Sequence, residues 1–586
     1  MATGHQPTET TISWQVVGLL VLLAVVPYLN TLAAGFTLDD LPYIRENPAV
    51  TNGVDLTEIF ATSLPTTYLY RPITVLSFAV NEAVAPGNAA AFHAVNGLLH
   101  AAVTVLVFVL AVRLFAVRVA FIAAALFAVH PLHTEAVTSI VGRAEVLAAL
   151  FGLLAVLSAD PLRRPAGRWS ERTWYGLSIL CFAGAIFSKE NAVTLLPLVL
   201  LYRVTRRAEP VFAGLWKEIS SLYWVPYALC VGIFLFFRFF VVGTLAGVPA
   251  GRVDPVDNIL AFVPWPARMQ SAFGILWDYF GLLNLPFVLS ADYSYNQVPI
   301  LSSWLDPRCL AGVVLCVAGV VAFVVGRPAV RFSVAVPFLA LLLTANVLFP
   351  IGTIKAERLL YVPSIGWVLL AAVAFERLLR ASRYRAVCAA VLGLVAVAFT
   401  ARTWIRNADW QDNFTMARSV GTSAPGSAKS LSNVGVALLK EGHDEAAIEL
   451  FHASLAIYAM PESAFGIGTA LNAQGKTDEA IEWLGTALKM APGLMKAHTD
   501  LCHTLWQRGD FAAAARACRS GLRYRPADAN LLKGLGASLI GAGETEKGAD
   551  ILRRSLALNP NDDSLRIQVA SLTRAGCQAG DREILR

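Results

Sequence analysis

Long apolar runs separated by short polar loops fill the chain from residue 13 to about 404, and then stop. A helix needs about 20 mostly apolar residues to cross a bilayer. The runs predict 11 membrane-spanning helices, at roughly 13–34, 92–114, 118–132, 143–158, 174–188, 190–204, 219–244, 308–326, 331–350, 362–378 and 386–403. A further stretch, 267–287, carries Arg268, Gln270 and Asp278, and is expected to lie at the interface or re-enter without crossing. Polar sequences break two helical pairs: His130-Pro131-Leu132-His133-Thr134-Glu135 and Ser188-Lys189-Glu190-Asn191. The first run, Trp14 to Ala34, lacks a basic leader and exceeds the length of a signal-peptide core, so it is expected to stay as an anchor.

Beyond residue 404 the pattern changes to the Ala, Glu, Lys and Arg mixture of soluble helices. Gly442, Gly475, Gly509 and Gly543 recur every 33 or 34 residues, and Pro492, Pro526 and Pro560 follow at the same period. Inside that frame fall small residues at Gly435, Gly468, Cys502 and Gly536, then at Ala447, Ala480, Ala514 and Gly548, with large ones at Phe451, Leu484 and Leu552. This pattern resembles the tetratricopeptide repeat, two helices packed through the small positions, whose arrays hold extended peptides or partner helices. The expected organisation is a membrane domain over 1–404, a linker over 405–427, four repeats over 428–562, and a capping helix or tail over 563–586.

Composition agrees: of 586 residues 56% are hydrophobic and only 15% charged, which excludes a disordered or ordinary soluble chain. The net charge of +6 implies no nucleic-acid partner, because the basic residues cluster in short loops where topology accounts for them. Those loops hold Arg113/Arg118, Arg163-Arg164 with Arg168 and Arg172, Arg203/Arg206/Arg207 with Lys217, Arg327/Arg331, and Arg377/Arg380/Arg383/Arg385. All are cytoplasmic together only if 267–287 does not cross. The residues Asp39-Asp40, Glu135, Glu190, Asp292 and Glu357 then fall on the outer face, as does the C-terminal domain. Five cysteines (Cys181, Cys230, Cys309, Cys316, Cys388) read as small core residues. Cys502 and Cys518 should face each other across one repeat; two buried small side chains are the preferred reading over a disulfide. Asn413-Phe414-Thr415 matches the N-glycosylation acceptor.

The candidate chemistry begins at Asp39-Asp40, two adjacent carboxylates just past the first span, where at least one should have an unusual proton affinity. Capping of the next helix is the alternative. Cations at or near the outer loops are Arg71, Lys189 and Arg358, followed by Arg143 and by Arg238, which sits in a run of phenylalanines and either serves a site or snorkels outward. Lys189-Glu190 and Glu357-Arg358 have a second reading as local ion pairs bracing their loops. His130, His133 and Glu135 are of metal-ligand type, but a hydrogen-bonded helix end after Pro131 is preferred, and metal dependence is left open. Asp292 and Tyr293 offer a carboxylate and a ring for a sugar or acceptor, or an interfacial anchor.

The combination of Thr37-Leu38-Asp39-Asp40, Asn47-Pro48-Ala49-Val50, Tyr70-Arg71-Pro72-Ile73-Thr74, Phe92-His93-Ala94-Val95-Asn96-Gly97, His130-Pro131-Leu132-His133-Thr134-Glu135, Val141-Gly142-Arg143-Ala144-Glu145, Phe187-Ser188-Lys189-Glu190 and Ala356-Glu357-Arg358-Leu359-Leu360-Tyr361 resembles the transmembrane-and-tetratricopeptide-repeat protein family. The resemblance runs in order along nearly the whole chain. It implies an all-α GT-C glycosyltransferase fold followed by a repeat solenoid, and transfer of mannose from a polyprenyl-phosphate carrier to protein hydroxyls. It implies Asp39 as the base, with Asp40 second. The chemistry is consistent: the hydroxyl needs a base and the departing phosphate needs cations, for which Arg71, Lys189, Arg358, Arg143 and Arg238 are the candidates. His130, His133, Glu135, Glu190, Asp292, Tyr293 and Glu357 are the remaining substrate-binding candidates. A single displacement would invert the sugar. The expected partners are the membrane lipid carrier and an acceptor protein bound by the repeats. The expected setting is a bacterial inner membrane with periplasmic repeats, or an endoplasmic reticulum with luminal ones. The competing reading is a membrane-anchored repeat scaffold without catalysis.

Overall fold

The computed structural model describes residues 13–64, 68–162, 170–245, 253–381, 383 and 385–572, and all described regular structure is helical. The chain divides into two compact units, Met1–Ala424 and Pro425–Arg586.

In the first unit seven helices are long and apolar enough to cross a membrane: Trp14–Ala33, Ala89–Leu114, Ile140–Ser158, Val225–Val242, Pro307–Val325, Glu357–Arg380 and Arg385–Ala408. An eighth span is the pair Val117–Val129 and Pro131–Val137, bent by 50°. The bend has a local cause. His130 is extended, as a residue before proline prefers, and Pro131 starts a new turn capped by the His130 ring. Three of the 11 expected spans differ from the expectation. The stretch 190–204 yields the 13-residue helix Leu195–Arg207 after a tight turn, and 331–350 yields the 14-residue Pro328–Leu341 with Pro337 inside it. The helix Glu171–Ser188 has 18 residues but starts with Glu171 and Arg172. An apolar run thus overstated helix length wherever turns or prolines interrupt it. Helix Trp265–Asn284 is not among the apolar spans.

The loop after the first span folds on itself. Short helices Pro48–Thr51, Leu56–Ala61 and Pro72–Val84 enclose a core of Ile44, Val50, Ile59, Val75, Phe78 and Phe92. The expected linker 405–427 is mostly helical. Helix Arg385–Ala408 runs into it and Asn413–Ser423 follows; Trp410 before that helix, Met416 and Val420 within it and Ala424 at its end pack with Ala291. The basic loops at one end are tied down by buried acids. Asp160 pairs with Arg206 and Arg113, and Glu218 with Arg203 and Arg207. Arg163, Arg164 and Arg168 lie outside the described residues.

In the second unit, eight helices pair from Ala428–Lys440 to Thr545–Leu558, and a further helix covers 563–572. The recurring glycines Gly442, Gly475, Gly509 and Gly543 all take positive φ, between 77° and 87°, at the turn inside each repeat. The small-against-large packing is direct: a Cβ on Gly468 would lie 2.8 Å from Leu484 Cγ. Contrary to the preferred sequence reading, Cys502 and Cys518 form a disulfide, with Cα atoms 5.4 Å apart. The rest of the expected cap or tail, 573–586, is outside the described residues.

Candidate functional site

The two adjacent acids have opposite surroundings. Asp40 is fully buried, and each of its carboxylate oxygens accepts a backbone N–H at 3.0 Å, from Thr37 and from Val141. Burial pushes its pKa up to about 7 and the neighbouring Asp39 charge adds to this, while the two N–H donors oppose. Asp40 therefore fastens the turn to the start of helix Arg143–Ser158. Asp39 is exposed, and its carboxylate takes part in no hydrogen bond or ion pair among the described residues. Its charge acts on Arg358, which also feels Glu135.

Polar loops from distant parts of the chain converge on Arg358, the cation that interacts with Asp39. Glu135 binds Arg358 twice, accepting its backbone N–H at 2.8 Å and its guanidinium. Arg71 donates to Glu190 at 2.9 Å, and Arg238 approaches the other oxygen of Glu190 at 3.4 Å. Lys189 pairs with Glu145. Lys189 also senses Arg71, Arg358, Glu190 and Glu135, so the four cations and their acids form one charged cluster. Neither Lys189-Glu190 nor Glu357-Arg358 pairs with its own neighbour, which removes the local-brace reading. Each makes contacts across the fold instead. Arg238 does not snorkel: it is 4% exposed and turned inward onto Glu190. Of the cluster's cations, Arg358 and Arg71 keep side-chain exposure, 40% and 17%, and Lys189 and Arg238 lie behind them.

Arg143, expected among the phosphate ligands, is elsewhere. It is fully buried and donates to Asn96 (2.7 Å), Ser77 O (3.1 Å), Asn81 (2.9 Å) and Phe92 O (3.0 Å), with its guanidinium over the Phe78 and Phe92 rings. No group that binds substrate from outside can reach it. Gly142, just before it, leaves room for the Glu135 turn: a Cβ there would sit 2.4 Å from the Ala136 carbonyl oxygen and 2.7 Å from that of Glu135.

The histidines are held by the protein. His130 meets the Leu283 carbonyl and the Leu132 N–H, and His133 meets the Ser364 hydroxyl, while Glu135 faces Arg358. Among the described residues no group of three His, Cys, Asp or Glu is placed to hold a metal ion. Asp292 closes its own loop through the Ser294 N–H and hydroxyl. Tyr293 donates its hydroxyl to Glu357 at 2.7 Å, and Glu357 also accepts the Ser290 N–H. Burial, then the Glu357 charge, drives the Tyr293 phenol well above its ordinary range. These two groups form a separate buried knot, with Lys355 over the Tyr293 ring at 4.5 Å. Sequence reasoning assigns Glu145 no role, although it ends the motif Val141-Gly142-Arg143-Ala144-Glu145; its acidic side chain on a helix that starts at the site is the available signal.

Apolar spans with a charged cluster at one end, joined to a helical repeat unit, define the class: a membrane protein with tetratricopeptide repeats. A tetratricopeptide-repeat family model matches residues 435–494 and 499–563. Over most of its length the chain resembles proteins named as protein O-mannosyl-transferases. TMTC3 of Mus musculus is 30% identical over 471 residues, 75% of this chain and 51% of that protein. TMTC4 of Homo sapiens is 30% identical over 430 residues, 65% of this chain and 57% of that protein. The chain is thus a relative of the transmembrane-and-tetratricopeptide-repeat family, and spans about half the length of the curated relatives it matches. Among solved structures, MamA from Desulfovibrio magneticus is 21% identical and covers 25% of this chain and 85% of its own, with a TM-score of 0.24.

Proposed function

We propose that this chain is an integral-membrane transferase that moves a sugar, mannose by analogy with its relatives, from a polyprenyl-phosphate carrier to Ser or Thr hydroxyls of proteins gathered by the repeats. The observation that carries the proposal is Asp39: an exposed carboxylate without a hydrogen bond or ion pair among the described residues, whose charge acts on Arg358 in a cluster of cations that reaches the surface at Arg358 and Arg71. In this scheme Asp39 takes the proton from the acceptor hydroxyl. The oxygen attacks the anomeric carbon, the bond from that carbon to the phosphate oxygen breaks, and the polyprenyl phosphate leaves with the electron pair. One displacement inverts the sugar. Arg358 and Arg71 meet the departing phosphate, and Lys189 and Arg238 hold their field in place from behind. Glu135 and Glu190 aim the two arginines. The site faces the non-cytoplasmic side, periplasmic or luminal, in agreement with a disulfide in the repeat unit and with the basic loops at the opposite end.

The test uses detergent-purified full-length protein, labelled polyprenyl-phosphate mannose and Ser/Thr peptides. Wild type transfers label, while Asp39→Asn loses roughly 100-fold or more, the size expected for a general base, with little change in thermal stability because the exposed Asp39 carboxylate makes no hydrogen bond or ion pair among the described residues. Full activity in Asp39→Asn would remove the base, and donor binding abolished in neither Arg358→Ala nor Arg71→Ala would remove the phosphate site.

A further inference from the structure

The turn that presents Asp39 has an unusual backbone. Leu38 takes φ +48°, a left-handed conformation that a branched side chain adopts only when something outside holds it. Two contacts hold this stretch from the far end of the unit. Gly35 N–H donates to the Gln411 carbonyl at 2.9 Å, and Leu38 N–H donates to the Asn413 side-chain oxygen at 2.8 Å. Asp40 fixes the inner side of the same turn through Thr37 and Val141. The holding segment is itself anchored. Asp412 caps helix Asn413–Ser423, exchanging hydrogen bonds with Thr415, and Trp410 is buried beneath it.

From this geometry we propose that Asn413 is a positioning residue for Asp39. Its side-chain oxygen holds Leu38 left-handed, which turns the Asp39 carboxylate outward toward Arg358. Asn413 belongs to an N-glycosylation triplet, yet both polar members already have structural work. The Asn413 oxygen is bound to Leu38, and the Thr415 hydroxyl lies in the capping box with Asp412. The triplet is a fold element, and its asparagine acts on the acid turn. The segment that leads out of the membrane unit to the repeats therefore grips the turn that carries the base. This assignment rests on the transferase reading for its catalytic part alone.

The test pairs Asn413→Ala with Asn413→Asp in the full-length protein. Aspartate keeps an oxygen acceptor for Leu38 N–H and abolishes glycosylation, so it separates positioning from glycan loss. Two readouts are followed: hydrogen exchange in peptides spanning residues 35–40, and transfer kinetics. For Asn413→Ala, exchange at Leu38 should speed up and kcat should fall, each by roughly two- to tenfold, the range of one net hydrogen bond, with donor KM unchanged. Asn413→Asp should restore both. Equal impairment in the two variants, or unchanged exchange in Asn413→Ala, would overturn the proposal. A wild-type protein without transferase activity would sink the function reading, and the exchange experiment would still decide whether Asn413 holds the turn.

Discussion

Replacing Arg143 with methionine separates two roles that the sequence leaves open for it, phosphate ligand and structural brace. The substitution keeps length and most of the volume but removes four hydrogen bonds of 2.7–3.1 Å and two guanidinium–ring contacts at 4.9 and 5.4 Å. It strands two buried side-chain oxygens, Asn96 and Asn81, and takes a second donor from the helix carbonyls of Ser77 and Phe92. Each lost partner costs about 1–3 kcal/mol. Relief from burying the guanidinium charge offsets part of the sum, so a net loss of about 2–4 kcal/mol follows from the two stranded amide oxygens and the lost ring contacts. The loss spreads, because Asn96 also donates to the carbonyls of Val137, Ser139 and Ile140, next to the Val141 N–H that binds Asp40. Thermal unfolding in detergent, followed by intrinsic fluorescence, should shift down by roughly 10 °C at 2–4 °C per kcal/mol. Arg143→Lys should recover only part of it, since an ammonium cannot reproduce the fork. Surviving folded protein should bind the lipid-phosphate sugar with unchanged affinity. A stable Arg143→Met protein that has lost donor binding would refute the brace and restore the phosphate role.

Two more outcomes follow from the same turn. Asp40 has its folded pKa raised to about 7 from an ordinary 3.8, so its neutral form favours the fold: the stabilisation is complete below about pH 4 and is lost as pH rises through 7. Proteolysis of the 35–45 segment should accelerate over that window in wild type, and a pH-independent rate would contradict it; Asp40→Asn should be flat but faster throughout, because its amide N–H₂ must face one of two N–H donors. Gly142→Ala should lower both stability and activity, since its Cβ would meet the Glu135 and Ala136 carbonyls at 2.7 and 2.4 Å, contacts that no side-chain rotation relieves; normal thermal unfolding of the variant would show that the Glu135 turn can move.

Patterns with one strong period were legible from sequence. The repeat frame placed its turn glycines and its small-large pairs because a 34-residue period superimposes the same steric demand several times, and each Gly at positive φ repeats the same backbone need. The long spans were legible because lipid tolerates only apolar helix. Their ends were not, since Pro131, Pro337 and the 190–194 turn interrupt hydrogen bonding without interrupting hydrophobicity.

The sequence by itself determined which residue types stand ready for chemistry: paired acids after the first span, and cations in loops that lie far apart along the chain. Only the tertiary structure decided their roles, because charge pairing is set by distance across helices. It buried Asp40 and exposed Asp39, matched Lys189 to Glu145 and Glu190 to Arg71 and Arg238, and withdrew Arg143 into a cage of neutral acceptors. A carboxylate next in sequence to a lysine looks like its partner, yet consecutive side chains diverge around a turn and find their counter-charges on other helices.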